Sequence, residues 1–310
     1  MIPGALLAVT GGTGFVGQAL LDRAVEAGTP VRALARRPQP PRAGIEWVAG
    51  DLADTAALDR LVDGASAVIH VAGVVSAPDR AGFEAGNVAG TLALVEAARR
   101  GGVRRLVFVS SLAAREPQLS AYGASKARAE KIVMASGLDW TIVRPPAIYG
   151  PRDREMLELF RAARWGVVPM PARGRASLIH VDDLARLLLA LAEPEPERVE
   201  ATSHKVYEPD DGRRHGWSHK ELAWAIGKAV GKRVAVPRLA PRVLAAAARA
   251  DRLVRGRRAK LTPDRARYMA HPDWVSRDDA RPPAALWSPA IASPEGLAAT
   301  AAWYRGEGWL

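Results

Sequence analysis

A tyrosine and a lysine four residues apart, in Tyr122-Gly123-Ala124-Ser125-Lys126, could together move a proton. On a helix this spacing puts both side chains on one face. A free phenol has a pKa near ~10 and is a poor base at neutral pH. Bringing it to neutrality takes roughly 4 kcal/mol of preferential stabilisation of the phenolate. A nearby ammonium, a cationic cofactor ring and a helix N-terminus can combine to supply that. Such a phenol gives its proton to a carbonyl oxygen or takes one from an alcohol.

The second chemical feature lies upstream, in Thr10-Gly11-Gly12-Thr13-Gly14-Phe15-Val16-Gly17. Gly12, Gly14 and Gly17 satisfy G-x-G-x-x-G, and Gly11, Gly14 and Gly17 give G-x-x-G-x-x-G. The run follows an apolar strand pattern and opens a helix pattern, the context in which such glycines bind a dinucleotide. They allow a tight turn and close approach of backbone to pyrophosphate, and the helix start offers free N–H groups. Gly11, Thr13, Gly14, Phe15, Val16 and Gly17 are the candidate cradle. An acid about 20 positions further on would bond a ribose 2′-hydroxyl. The chain instead reads Val31-Arg32-Ala33-Leu34-Ala35-Arg36-Arg37 there. Arginine pairs bidentately with phosphate, so NADP(H) is expected over NAD(H). Arg36 is the favoured partner, with Arg32 and Arg37 as alternatives.

These residues need a scaffold, and the hydrophobic pattern describes one. Short apolar runs at 6–10, 31–35, 45–48, 67–71, 104–110 and 140–144 alternate with helical patterns at 14–27, 55–62, 87–100 and 122–135. Strands alternating with helices of this length mean βαβ units and a parallel sheet covered on both faces. The fold class is α/β: a doubly wound, Rossmann-type sheet with a smaller, mostly helical C-terminal lobe. Residues 1–150 would form the dinucleotide-binding domain, with 176–208 returning to it. Residues 151–175 and 209–310 would form a substrate-binding lobe over the sheet's C-terminal edge. Asp182 or Asp183 should cap a helix to about 191, residues 193–197 make a solvated turn, and 204–208 a last strand. Ser218, with Glu221 three residues on, is an N-cap pattern.

Composition narrows the functional classes. Apolar residues are 48 % of 310, enough for a sizeable core. There is no cysteine, which excludes disulfides, thiolate metal sites and cysteine nucleophiles and suits a reducing cytoplasm. The start, Met1-Ile2-Pro3-Gly4, has no basic n-region and reads as the approach to a first strand, not a signal peptide. No apolar run is long enough for a membrane span. Net charge is +11, but only 7 of the 44 basic residues are lysine. No basic patch interleaved with aromatics is present, so no nucleic-acid partner is expected. One cluster, Arg249, Arg252, Arg255, Arg257, Arg258 and Lys260, follows an alanine-rich apolar segment. The plainer reading is a solvated helix face; the sharper one is contact of segment 249–260 with a membrane surface or an anionic partner.

The ordered set of motifs resembles the short-chain dehydrogenase/reductase superfamily, in its extended and atypical branch. The set comprises the Thr10-to-Gly17 turn, Gly50-Asp51-Leu52, His70-Val71-Ala72-Gly73, Asn87-Val88-Ala89-Gly90-Thr91, Val109-Ser110-Ser111 and Tyr122-x-x-x-Lys126. Arg144-Pro145-Pro146-Ala147-Ile148-Tyr149-Gly150-Pro151 and His180-Val181-Asp182-Asp183 complete it. The resemblance implies that Asp51 and Leu52 lie near the adenine, and Ala72 and Gly73 beside the cofactor ribose. Pro145 and the residues after it would lie near nicotinamide and substrate. Lys126 would bond the nicotinamide ribose. Ser111, the residue after the fifth strand, would orient the substrate oxygen in preference to Ser110. Asn87 would be structural, holding the active-site strands or a water. His70 reads as a strand-end histidine without chemistry, and His180 as part of a strand-to-helix join, not a catalytic base.

The expected reaction is NADP-dependent hydride transfer between nicotinamide and a secondary alcohol or carbonyl of a small-molecule substrate. A sugar-nucleotide epimerase and a cofactor-binding scaffold, like the accessory subunit of respiratory complex I, are the alternatives. Ser111-Leu112-Ala113 lacks the acidic pair of dehydratases, and Ser111 and Tyr122 are 11 residues apart, closer than in epimerases. The intact Ser111, Tyr122 and Lys126 set disfavours pure scaffolding. Trp217, Trp224, Trp274 and Trp287 would serve either the lobe's own core, the plainer reading, or an apolar substrate. The resemblance also allows a homodimer, through helices 87–100 and 122–135.

Overall fold

The computed structural model describes residues 5–192, 199–256 and 262–310. The turn at 193–197 and the basic residues Arg257, Arg258 and Lys260 lie outside the described residues, as do Met1 to Gly4. The chain divides into two compact units. The first comprises Met1–Pro145, Leu184–Glu208 and Pro282–Ser288; the second comprises Pro146–Asp183, Pro209–Arg281 and Pro289–Leu310.

In the first unit the strands are β1 (Leu7–Thr10), β2 (Val31–Ala35), β3 (Ile45–Ala49), β4 (Ala67–His70), β5 (Arg105–Val109) and β6 (Asp139–Val143). With Lys205–Tyr207 they form one seven-stranded sheet. The order is β3-β2-β1-β4-β5-β6 followed by Lys205–Tyr207, and every pairing is parallel. The order reverses between β1 and β4, the switch point at which doubly wound sheets bind ligands beyond the strand ends. β1, β4 and β5 are buried at every position, as expected of central parallel strands covered on both faces.

Helices α1 (Phe15–Glu26), α2 (Thr55–Val62), α3 (Arg80–Phe83), α4 (Gly90–Arg100) and α5 (Ala121–Met134) cross between strands. Leu58, Leu61, Leu94, Ala98, Ala129 and Val133 pack in one core with Val68, Leu106, Phe108 and Ile142 of the sheet. Asp54 caps α2 by accepting from the Ala57 N–H, and Ser120 caps α5 by accepting from the Gly123 N–H. The helix expected at 87–100 has a different start. Residues Glu84–Ala89 form a π-helical turn before α4, a local widening that no hydrophobic period announces and that recurs at functional sites.

The second unit has its own core, in which Tyr149, Phe160, Leu178, Trp217, Ile226, Leu297 and Tyr304 are buried together. Residues 176–183, expected to return to the dinucleotide domain, belong here, because Leu178–His180 pairs in parallel with Ala147–Tyr149. The return begins at Leu184. Asp183, expected as a cap, accepts from the N–H groups of Ala290 and Ile291. Ser218 does cap helix His219–Val230, with the reciprocal Glu221 bond of a capping box. The four tryptophans divide. Trp217 and Trp274 are buried in this unit, Trp287 is buried in the first, and Trp224 is half exposed with Lys220 4.4 Å above its ring.

Candidate active site

The glycine turn joins β1 to α1. Gly17 packs so closely that a Cβ there would stand 2.0 Å from the Gly11 carbonyl oxygen, so no larger side chain fits without moving the turn. Gly14 is the N-cap of α1, and no side chain caps the helix and no acid lies in its first turn. A Cβ at Gly14 would meet only the Gly11 carbonyl, at 3.3 Å, and Thr13 and Gly14 are exposed. An uncapped helix start beside an open glycine suits a pyrophosphate: backbone N–H groups and the helix dipole face the place where an anion fits. Phe15 and Val16 supply the first turn and are half-buried.

The three arginines of the second strand separate cleanly. Arg32 is committed to the fold: its Nε donates to Glu46 Oε2 at 2.9 Å, and Nη1 donates to the Arg60 and Asp63 carbonyls at 3.0 and 2.6 Å. Arg36 and Arg37 follow the end of β2 and are exposed. Asp51, after β3, is exposed and accepts from the Ala53 N–H. Leu52 is half-buried and packs on Gly90, where a Cβ would come within 2.7 Å of it.

At the switch point a hydrogen-bonded chain ties β1, β4 and α4 together. Thr91 Oγ1 donates to the Asn87 carbonyl at 2.6 Å, so it accepts from His70 Nε2 at 3.0 Å. That assigns the tautomer: His70 Nδ1 accepts from Thr10 Oγ1 at 2.7 Å, and Thr10 Oγ1 accepts from the Ala72 N–H at 3.3 Å. Burial, with the Lys126 charge adding to it, lowers the His70 pKa to about 3, so the ring is neutral at any working pH. His70 is structural: it sets the path of Ala72 and Gly73 over the strand ends. Asn87, buried in the π-helical turn, does the same from the other side. Its Oδ1 accepts from the Val74 N–H at 2.7 Å, and Nδ2 donates to the Val74 carbonyl and to Ser125 Oγ. A Cβ at Gly73 would stand 3.3 Å from Asn87 Oδ1 and 3.6 Å from Lys126 Nζ, which puts the segment expected beside the ribose against the lysine.

Ser111 follows β5 and caps a short 3-10 turn, Leu112–Arg115. The Leu112 N–H donates to the buried Pro145 carbonyl at 3.1 Å. α5 packs directly on this turn because Gly123 has no side chain; a Cβ there would be 2.5 Å from the Ala113 carbonyl oxygen. That close approach brings Tyr122 beside Ser111. Burial raises the Tyr122 pKa, and the Ser111 hydroxyl offsets only part of this. Lys126 donates to the Val109 carbonyl at 2.6 Å, with its Nζ 4.4 Å from the Phe108 ring. Burial in turn lowers the Lys126 pKa to about 8, against an opposing pull from Glu130.

Ser110 does not share this site. Its hydroxyl donates to Glu130 Oε1 at 2.5 Å. Glu130 also accepts a bidentate pair from Arg144, at 2.9 and 2.6 Å. Arg144 stands 3.7 Å from Glu208, whose other oxygen accepts from Arg115 at 3.0 Å. This buried network of alternating charges holds the ends of β5 and β6 and the turn after Ser111. The sequence reading missed it. Its one signal is Glu130 four residues after Lys126, an acid on the face of α5 that already carries Tyr122 and Lys126.

Residues 7–202 match the model of the NAD dependent epimerase/dehydratase family. The chain belongs to that family. Over 98 % of its length it is 38 % identical to a protein of Caulobacter vibrioides named ceramide reductase, spanning 96 % of that protein. It is 33 % identical over 206 residues to a 2-alkyl-3-oxoalkanoate reductase of Stenotrophomonas maltophilia, covering 57 % of this chain and 62 % of that one. Among solved structures, MoeE5 in complex with UDP-glucose and NAD superposes with a TM-score of 0.75, at 24 % identity, covering 98 % of this chain and 99 % of that one. The WbmG enzyme of Bordetella bronchiseptica in complex with NAD also gives 0.75, at 21 % identity, covering 100 % and 97 %. These two likenesses establish the fold. Within the epimerase/dehydratase family the chain is an enzyme, an oxidoreductase of the extended short-chain dehydrogenase/reductase type, and the family is one of nicotinamide-cofactor enzymes. Among the described residues no helix is long and apolar enough to cross a membrane.

Proposed function

We propose that the chain is an NADPH-dependent reductase that converts a ketone on a long-chain, ceramide-type lipid to the secondary alcohol. The observation that carries the reading is the grouping of three side chains: Tyr122 and Lys126 one turn apart on α5, which Gly123 lets pack against the turn that Ser111 caps. The reduced nicotinamide supplies the hydride when bound. As the carbonyl carbon gains hydride, Tyr122 Oη gives its proton to the carbonyl oxygen and C=O becomes CH–OH. Ser111 Oγ hydrogen-bonds the same oxygen and orients it. Lys126, one turn along α5, carries the positive charge that favours departure of the phenolic proton. Gly11, Thr13, Gly14, Phe15, Val16 and Gly17 hold the pyrophosphate, Asp51 and Leu52 border the adenine, and Ala72, Gly73, Lys126 and Pro145 border the nicotinamide end.

Two observations support the finer points. Arg36 and Arg37 are exposed at the end of β2 while Arg32 is occupied, which leaves two guanidinium groups for a 2′-phosphate. The full-length relative is named for ceramide, and the 2-alkyl-3-oxoalkanoate reductase carries in its name a ketone on an alkyl chain.

The test follows NADPH and NADH consumption by the purified chain with a detergent-dispersed N-acyl long-chain 2-amino-3-ketone. Turnover is expected with NADPH at least roughly tenfold better than with NADH, because a charge-assisted pair to the 2′-phosphate contributes about 1.5–3 kcal/mol. Arg36→Ala should remove most of that preference. A wild-type preference for NADH overturns the cofactor assignment. Interconversion of a nucleotide sugar with no net NADPH consumption would replace the reductase by an epimerase.

The pH dependence has a defined sign. Below about pH 8 Lys126 is charged, and above it the ammonium loses its proton. The kcat/KM for ketone reduction should therefore be flat through neutrality and fall as pH rises past about 8. A profile still rising at pH 9 would show that the Lys126 charge plays no part.

A further inference from the structure

The helix Pro241–Arg255 of the second unit carries two apolar faces, of which its own unit uses one. Leu244 and Ala248, one turn apart, are buried against Ala266, with Leu239 and Ala270 alongside. The other face is formed by Val243, Ala246, Ala247, Ala250, Leu253 and Val254, all exposed. Their spacing of three and four residues puts them on one stripe, roughly 120° wide at 100° per residue. Val243 is 51 % exposed, Leu253 87 % and Val254 83 %, the last two among the most exposed large apolar residues of those described.

We propose that this stripe docks the protein on the surface of an anionic lipid bilayer. The charges beside it select that occupant. Arg242 and Arg249, seven residues apart and both exposed, lie along one edge of the stripe. The helix has no acid in its first turn, and its one acid, Asp251, pairs with Arg255 at 3.2 Å. An apolar stripe bordered by cations is the pattern of a helix lying in a membrane interface. A second copy of the chain is a poorer fit, because antiparallel pairing of two such stripes about a two-fold axis would bring the two arginine rows together. Anionic headgroups would neutralise the same row. The helix runs flat on the interface and does not span it. This surface stands apart from the reductase reading and can be tested without substrate.

The experiment is flotation of the full chain with vesicles of phosphatidylcholine and phosphatidylglycerol in equal parts, and with vesicles of phosphatidylcholine alone. Binding is expected to the mixed vesicles, weakened by salt, and to be much lower on the neutral ones. L253E/V254E should abolish it. R242Q/R249Q should lower the partition coefficient about fivefold per arginine removed. All four positions are exposed, and unchanged thermal melting of each variant confirms that folding is intact. Failure of the wild type to bind mixed vesicles, or equal binding by L253E/V254E, overturns the proposal. A dimer in sedimentation equilibrium that L253E/V254E dissociates, without vesicle binding, would make the stripe a self-association surface instead.

Discussion

Tyr122→Phe is expected to lower kcat by a factor on the order of a thousand, the size of effect associated with a general acid in the transition state. The substitution removes one oxygen and leaves the ring, which packs at a centroid distance of 6.1 Å from Phe83. Stability should therefore change little. Cofactor affinity, followed by titration of protein fluorescence with NADPH, should stay within about threefold, because the pyrophosphate cradle and the Arg36 region are untouched. Ser111 keeps its bond to the Ala113 N–H, so the turn that presents it stays in place. The expected signature is thus a lost kcat with a retained binding step. A variant that still turns over within about tenfold of wild type would mean that the proton comes from elsewhere.

Glu130→Ala should be strongly destabilising although Glu130 touches neither cofactor nor substrate. It leaves Arg144 without its bidentate partner and the buried Ser110 hydroxyl without its acceptor. Breaking a buried pair from one side typically costs about 3–5 kcal/mol. Glu208 remains 3.7 Å from Arg144, so the lower end, about 3 kcal/mol, is expected. For a unit of this size that is a fall in Tm of roughly 6–12 °C. Glu130→Gln keeps the shape and part of the hydrogen bonding and should fall between. A second readout separates positioning from plain destabilisation. Glu130 is the group that opposes the lowering of the Lys126 pKa, so its removal should move the alkaline limb of the pH profile below about 8. A Tm unchanged in Glu130→Ala, with the limb in place, would leave the network without the role described.

Much of the scaffold was readable because its signals are local. Glycine spacing, strand-to-helix alternation and capping residues depend on neighbours in sequence, and these gave β1 to β6, the helices α1, α2, α4 and α5, and the Ser218 cap. The π-helical turn at Glu84–Ala89 was not readable, since it keeps an apolar face while adding a residue to the turn. The boundary at 176 was misplaced for a related reason: Leu178–His180 has a strand pattern, but which strand it joins is decided by pairing with Ala147–Tyr149.

The sequence by itself determined the family of chemistry: a glycine turn opening a helix, an acid-free second strand, and a tyrosine and lysine one helical turn apart. The tertiary structure decided what those groups can do. It consumed Arg32 in the fold and left Arg36 and Arg37 in solvent. It turned Ser110 to Glu130 and Ser111 to Tyr122. Burial raises the Tyr122 pKa and lowers that of Lys126. The physical reason is the same in each case. Burial and charge pairing depend on which distant residues meet, and spacing along one helix carries no information about the dielectric or the partners that surround it.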